Sequence, residues 1–171
     1  NKAHKNTVIA FKTRVLLNMG RYADVITEAN KLVPLAPPYR APSGVINLLE
    51  ANINSVFGGT AATQNTLESF LTLPFTSLDL PGTQNGLGHY YNPGPNGNGD
   101  FSLNTIGNGI AANTNWRASD ARRSFNINSG TTTVRTFLRK WPNNPGSTPD
   151  HVALIRYAEV MLNLAEALAR T

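Results

Sequence analysis

The hydrophobic positions of the first 33 residues follow the spacing of two amphipathic helices. Apolar residues recur every three or four positions from 7 to 19, and the same spacing resumes from 21 to 33 after Gly20. The two stripes are Val8, Phe11, Val15 and Met19, and Tyr22, Val25, Ile26, Ala29 and Val33. Such a stripe marks the face of a helix that packs against a neighbour. Because the turn at Gly20 is short, the pattern predicts an antiparallel helical hairpin over 7–33.

A third amphipathic helix is predicted over 150–171. Asp150 is a residue of the kind that caps helix N-termini, and Glu166 and Arg170 have the order of a favourable i,i+4 pair. The apolar stripe of this helix is Leu154, Ala158, Met161, Leu162, Ala165 and Leu168. Neither Gly nor Pro ends the pattern, and the first helix begins almost at once. We therefore expect the chain to be a piece of a longer protein.

The stretches between these helices predict only short elements. Residues 45–57 have the apolar spacing of a short helix, whereas 68–75 and 131–141 have the composition of strands. Pro74 indicates that the first of these strands lies at a sheet edge, since proline cannot donate to a ladder.

The remaining middle part is rich in turn signals. Asn-Gly and Pro-Gly pairs follow one another between 79 and 115, and we interpret 79–149 as a loop-rich insertion with short strands. The segment 20–26 resembles the second half of a tetratricopeptide (TPR) repeat, and a lone hairpin needs neighbours to cover its apolar face. The predicted fold class is mainly α, with TPR-like antiparallel helices, long irregular loops and a few short strands, in a single domain over 1–171.

The composition narrows the function mainly by what it lacks. The chain has no cysteine, which excludes thiol catalysis, disulfides and cysteine-ligated metals. Only 15% of its residues are charged, so neutral polar groups dominate the surface. The net charge of +5 is small and scattered, and alone it does not establish nucleic-acid binding.

No motif in the chain meets the requirements of a catalytic or metal site. Gly107–Ala112 matches the dinucleotide-binding fingerprint, but no buried strand precedes it and no acidic residue follows at the required distance. The histidines are His4, His89 and His151. Their spacing fits no metal motif. Glu159 and Glu166 share a helix face that we interpret as solvated. We therefore predict no enzyme, no metal and no cofactor.

Aromatic residues within the neutral polar loops suit sugar binding. A sugar presents an apolar C–H face and a rim of hydroxyls, which flat rings and flanking polar side chains complement. The candidate glycan contacts are Tyr90, Tyr91, Asn92, Asp100, Trp116 and Arg117. One alternative is that these rings pack into the core. Another is an oligonucleotide groove, since cations alternate with aromatics from 116 to 141, although strand periodicity also explains that alternation.

Several segments resemble the SusD/RagB family, outer-membrane nutrient-binding lipoproteins of Bacteroidetes. The sequence of 155–168, IRYAEVMLNLAEAL, is very similar to the family signature R-Y-A-E-V-x-L-x-x-A-E-A. Residues 10–29 are similar to its helical hairpin motif, and 65–75 to its N-S-E-S-I-F-S-I strand. The elements at 120–123 and 139–141 occur where the family has D-x-R and K-[YFW].

This resemblance implies a SusD-like scaffold of the α–α superhelix type and non-catalytic binding of oligo- or polysaccharide. The implied partners are a glycan and a SusC-like TonB-dependent transporter, with no nucleic acid. The implied location is the extracellular face of the outer membrane, reached through a lipid anchor that this chain does not contain. Family members are longer, and their glycan contacts vary, so the residues proposed above rest on their chemistry alone. A TPR-type protein–protein interaction module is the alternative.

Overall fold

The computed structural model describes residues 3–57, 66–76, 78–80, 82, 86–125, 127–129, 135–143 and 150–171. The α-helices of this part are α1 (Lys5–Asn18), α2 (Tyr22–Ala29), α3 (Ile53–Val56), α4 (Leu87–Tyr91), α5 (Ala121–Phe125) and α6 (Tyr157–Arg170). Its strands are β1 (Ser69–Leu73), β2 (Ile127–Ser129), β3 (Thr136–Leu138) and β4 (Val152–Arg156).

The elements fall into two compact units. Unit 1 comprises Asn1–Ala51, Asn65–Leu73 and Val152–Thr171, and unit 2 comprises Asn52–Gln64 and Pro74–His151. The interpretation of the chain as one domain stays a prediction.

Unit 1 is built on helices α1 and α2, against which α6 packs. Gly20 lies in the turn between α1 and α2 with a φ of 69°, a conformation that favours glycine. The helices predicted over 7–33 are confirmed, although α2 ends at Ala29 and residues 30–33 form turns. Leu32 and Val33 are nevertheless buried in the core of this unit.

The apolar stripes predicted for α1 and α6 are wrong for most of their residues, although Phe11 and Met161 pack against the core. Val8, Val15 and Met19 on α1 are 64%, 55% and 60% exposed, and Leu162 and Leu168 on α6 are 70% and 57% exposed. The buried residues of α1 are Asn6, Thr7, Ile9, Ala10, Thr13 and Leu16. Those of α6 are Tyr157, Val160, Asn163, Leu164 and Ala167.

Hydrogen bonds explain why polar residues occupy the buried faces. The Asn163 amide donates to the Thr13 hydroxyl at 3.1 Å, and this hydroxyl donates to the Ala10 carbonyl at 2.7 Å. The Thr7 hydroxyl donates to the Phe70 carbonyl at 2.7 Å. A buried polar group is tolerated when it is hydrogen-bonded, and the apolar periodicity of a sequence does not register such pairs.

Strand β4 occupies the segment that the sequence pattern assigned to the start of the last helix. It pairs antiparallel with β1, with Ser69 opposite Arg156, so the strand predicted over 68–75 is confirmed as β1. Arg156 is extended and is the N-cap of α6. The predicted cap at Asp150 is therefore wrong; that carboxylate accepts from the backbone and side-chain nitrogens of Asn143 at 3.0 and 2.7 Å.

The helix predicted over 45–57 is wrong for most of its length, since only α3 is helical there. The buried Asn47 donates its amide to the carbonyls of Leu67 and Ser69, at 3.3 and 3.2 Å. Because Asn side chains compete for backbone partners, this residue favours extended structure over a helix.

Unit 2 consists mainly of turns around short elements. Strands β2 and β3 form a two-stranded antiparallel sheet, and α4 and a 3₁₀ turn over Ile110–Ala112 interrupt the segment 79–115, predicted to be irregular. Of the strand predicted over 131–141, the described residues contain β3. Residues 131–134 and 144–149 of the predicted loop-rich insertion lie outside the described residues.

The predicted fold class, a mainly α scaffold of the TPR-like or SusD-like superhelix type, is contradicted. Over the described residues, 37% are helical and 12% lie in strands, and the six helices do not form a large TPR-like superhelix. Helices α3, α4 and α5 have only four or five residues each, because Asn, Gly and Pro fill the segments around them.

Candidate functional site

Residues 110–123 of unit 2 are held in shape by hydrogen bonds between their own side chains and backbone. Oδ1 of Asn113 accepts from the backbone nitrogen of Asn115 at 2.9 Å, and Oδ1 of Asp120 accepts from that of Arg122 at 2.9 Å. Bonds of this kind stabilise turns at the expense of longer helices. The segment therefore presents its side chains from consecutive, locally fixed turns.

Trp116 is fixed in orientation by two neighbours. Its Nε1 donates to Oδ2 of Asp120 at 3.2 Å, and the guanidinium carbon of Arg123 lies 5.3 Å from its ring centre. Arg123 also donates to the Trp116 carbonyl at 2.7 Å. The ring is half-buried, and the guanidinium covers one of its faces in a cation–π contact.

Asp120 and Arg122 form the main ion pair beside this ring. Nη2 of Arg122 lies 2.6 Å from Oδ2 of Asp120, and its Nε lies 3.0 and 3.1 Å from the two carboxylate oxygens. These bonds, with the one from the Arg122 backbone nitrogen, hold the pKa of the Asp120 carboxyl well below its usual range. The carboxylate therefore stays ionised and neutralises the charge of Arg122.

These residues line an open cleft of 460 Å³, here called the Trp116 cleft. Its lining consists of Ile110, Asn113, Asn115, Trp116, Arg117, Ser119, Asp120 and Arg122. Arg123 is not part of the lining although it contacts the ring, so Trp116 presents part of its surface to the cleft and part to Arg123. The volume is within the range of small-molecule sites, about 300–1,000 Å³.

Tyr90 and Tyr91 belong to a different group of side chains, here called the aromatic cluster, which also contains Phe101 and Trp141. The ring of Tyr91 lies 5.7 Å from Phe101 and 4.8 Å from Trp141, and that of Tyr90 lies 5.9 Å from Phe101. Both tyrosines are half-buried and Phe101 is 55% exposed. The two tyrosines therefore pack mainly on neighbouring rings.

Asn92 and Asp100 lie close to the aromatic cluster. Asn92 is buried, and its amide donates to the Trp141 carbonyl. Asp100 is exposed and accepts from the Asn98 amide at 2.5 Å. Asn92 also lines a smaller cleft of 320 Å³, the Asn92 cleft, whose lining consists of Asn92, Pro93, Gly94, Pro95, Asn96, Arg139 and Pro142.

The six candidate residues thus divide between two places in unit 2. Trp116 and Arg117 share the Trp116 cleft, whereas the other four surround the aromatic cluster. Among the described residues, no ring contact joins Trp116 to Tyr90 or Tyr91. Whether any of the six contacts a glycan stays a prediction.

The sequence reasoning missed most of the polar residues around Trp116. These are Asn113, Asn115, Ser119, Asp120 and Arg122. The sequence does contain a signal for these turns. An Asn or Asp side chain often binds the backbone nitrogen two residues later, and such a residue lies on each side of the tryptophan, at Asn113 and Asp120.

The other residues considered for chemistry have ordinary structural contacts. Glu159 accepts two bonds from Arg14, at 2.6 and 2.7 Å, and Glu166 accepts one from Arg170 at 2.9 Å, which confirms the predicted i,i+4 pair. Within the described ranges, no group of three or more His, Cys, Asp and Glu residues is placed to hold a metal ion. None of the helices in those ranges combines the length and apolar character needed to cross a bilayer.

Comparisons with protein-family models, with curated proteins and with solved structures find no match to this chain.

Proposed function

We propose that this chain binds oligo- or polysaccharide without catalysis, and that the Trp116 cleft is the binding site. The observation that carries this proposal is the surrounding of Trp116: an oriented indole on an open cleft, with amides, a hydroxyl and an ion pair beside it. An indole face packs on the C–H face of a sugar, and amide and guanidinium groups bind its hydroxyls.

The cellular setting of this function is part of the proposal and rests on the resemblance of the sequence to SusD/RagB proteins. We propose that the full protein binds glycan at the extracellular face of the outer membrane and passes it to a TonB-dependent transporter. The proposal does not depend on the superhelical fold, because the candidate cleft is formed locally by 110–122 of unit 2.

The first prediction compares aromatic deletions in the two places. Trp116→Ala is expected to weaken glycan binding by at least about 30-fold, because truncating a central aromatic anchor removes about 2 kcal/mol or more. Trp116→Phe keeps a flat ring and is expected to retain most of the affinity. The measurement is native affinity electrophoresis in gels cast with a panel of polysaccharides, followed by titration calorimetry of the ligands that retard the chain.

Phe101→Ala is the matched control, since it removes an exposed ring from the aromatic cluster. If Phe101→Ala abolishes binding while Trp116→Ala does not, the site lies at the aromatic cluster and our assignment is wrong. If the wild-type chain binds no polysaccharide of the panel, the proposed function itself fails. Circular dichroism melts show whether each variant is folded.

A second candidate function, protein–protein interaction, is favoured by the exposed apolar residues of α1 and α6. Val15 and Leu162 are 55% and 70% exposed, although both are large apolar side chains. Exposed apolar patches often mark interaction surfaces. Pull-down from native membranes separates the candidates. A soluble partner that is lost with Val15→Asp/Leu162→Asp favours the second, whereas capture of a transporter alone, unchanged by these substitutions, favours the first.

A further inference from the structure

We infer that the Trp116 cleft selects anionic glycans, whose sugars carry carboxylate or sulfate groups, over neutral ones. This inference rests on the proposed function and specifies its ligand. The lining contains the cations Arg117 and Arg122 but only one acidic residue, Asp120.

The charge of Asp120 is neutralised by Arg122, so Arg117 remains as a cation without an acidic counterpart in the lining. Arg122 takes up both carboxylate oxygens of Asp120, at 2.6 to 3.1 Å. Arg117 is exposed, and among the described residues it forms no ion pair. Its guanidinium is therefore available to a ligand, and a guanidinium binds carboxylate or sulfate through two parallel N–H donors.

The remaining lining indicates a sugar as the carrier of that negative charge. Trp116 and Arg117 both line the cleft, so an aromatic and a cationic residue border the same volume. Asn115 and Ser119 also line it, and within the described part of the chain the side-chain amide and hydroxyl of these residues have no hydrogen-bond partner. A single acidic sugar offers all three complementary features: a C–H face, hydroxyls and an anion.

The Asn92 cleft shows a similar imbalance in the same unit. Its lining includes Arg139 and no acidic residue. Arg139 is exposed and forms no ion pair with any residue that the structure describes. The two clefts of unit 2 thus share an excess of cationic over acidic residues in their linings.

The test uses pairs of polymers that share a backbone and differ in their charged groups. Polygalacturonate is compared with its fully methyl-esterified form, and dextran sulfate with dextran, by affinity electrophoresis and titration calorimetry on the full chain. We expect at least tenfold tighter binding to one charged polymer than to its uncharged counterpart. Binding to the first pair assigns the charge to carboxylates, and binding to the second assigns it to sulfate esters; either supports the inference.

Arg117→Gln is expected to weaken binding of the charged polymer about tenfold, as loss of a charge-assisted pair does. Arg40→Gln is the matched control, since Arg40 is also exposed but lies in unit 1.

Equal losses with both variants, or equal affinity for a single-stranded oligonucleotide, would mean unspecific attraction of a polyanion and would overturn the inference. Equal binding of charged and neutral polymers, unchanged by Arg117→Gln, overturns it too but leaves glycan binding intact. Binding of no polymer contradicts both proposals.

Discussion

Tyr157 is the largest fully buried side chain among the described residues. Its hydroxyl donates to the Leu32 carbonyl at 2.6 Å, and its ring stacks on Phe70 with centres 5.8 Å apart. Burial raises the pKa of Tyr157 to about 12. Tyr157, at the start of α6, therefore contacts both the segment that follows α2 and strand β1.

This burial predicts a loss of stability in alkaline solution. The unfolded chain releases the Tyr157 proton near pH 10, whereas the folded chain holds it to about pH 12. Between these values the folded state binds more protons than the unfolded state, so the free energy of unfolding falls as the pH rises, by about 2–3 kcal/mol in all.

Tyr157→Phe is expected to remove this slope. At neutral pH the variant is expected to lose about 1 kcal/mol, because the Leu32 carbonyl loses its donor. Urea unfolding at pH 7, 9, 10 and 11 measures the free energy of unfolding of wild type and variant. The other titrating residues are the same in both proteins, so their contribution cancels in the difference. A difference that stays constant across this range would contradict the assignment.

The residues of the candidate site differ in how far the sequence predicts them. Trp116 and Arg117 were predicted from their chemistry, and they lie in one cleft. Tyr90 and Tyr91 have the same chemistry but pack on neighbouring rings, which residue type does not reveal. Asn92 is a buried hydrogen-bond donor within its loop. Residue type thus shows which side chains are able to bind a sugar. Whether such a side chain is exposed depends on contacts with residues far away in the sequence.

Helix α1 shows that a sequence predicts an element more readily than its buried face. Leu16 is 5% exposed and packs with Val25 and Ala167, while its neighbour Val15 is 55% exposed. Apolar spacing predicts that the face containing Val15 is buried. The face that is buried contains Thr13, a polar residue that such a pattern assigns to solvent. The partner that makes Thr13 suitable for burial is Asn163, 150 residues away in the chain.

The two neighbours therefore provide a matched pair of substitutions. Leu16→Ala is expected to lower the free energy of unfolding by about 2–5 kcal/mol, since it opens a cavity in a packed core. Val15→Ala is expected to change it by no more than about 0.5 kcal/mol. Both values follow from chemical denaturation of the purified variants. The reverse order would show that the face containing Val15 is covered in solution.

At the scale of the whole molecule, the buried apolar residues are distributed unevenly. Among the described residues, every buried hydrophobic side chain lies in unit 1 except Phe137. Unit 2 depends more on turn hydrogen bonds and on half-buried rings, such as those of the aromatic cluster. Local opening is easiest where few apolar contacts oppose it.

Hydrogen exchange is therefore expected to separate the two units. Backbone amides of α1, α2 and α6 are expected to be protected for much longer than those of residues 87–123. Exchange followed by mass spectrometry on peptides from each unit measures this difference. Protection in 87–123 equal to that in α6 would show that the turns of unit 2 are stabilised by more than the contacts described above.

The direct passage from β4 into α6 at Arg156 and Tyr157 limits how this part of the chain can change in length. No connecting residue separates the strand from the helix. One inserted residue would turn the helix by about 100° relative to the strand, or exchange the two faces of the strand. The first shift moves Tyr157 away from Leu32, and the second moves Ile155 out of the core. Insertions and deletions should therefore be tolerated in the turns of unit 2 and rejected at this junction, which makes its length as constrained as its side chains.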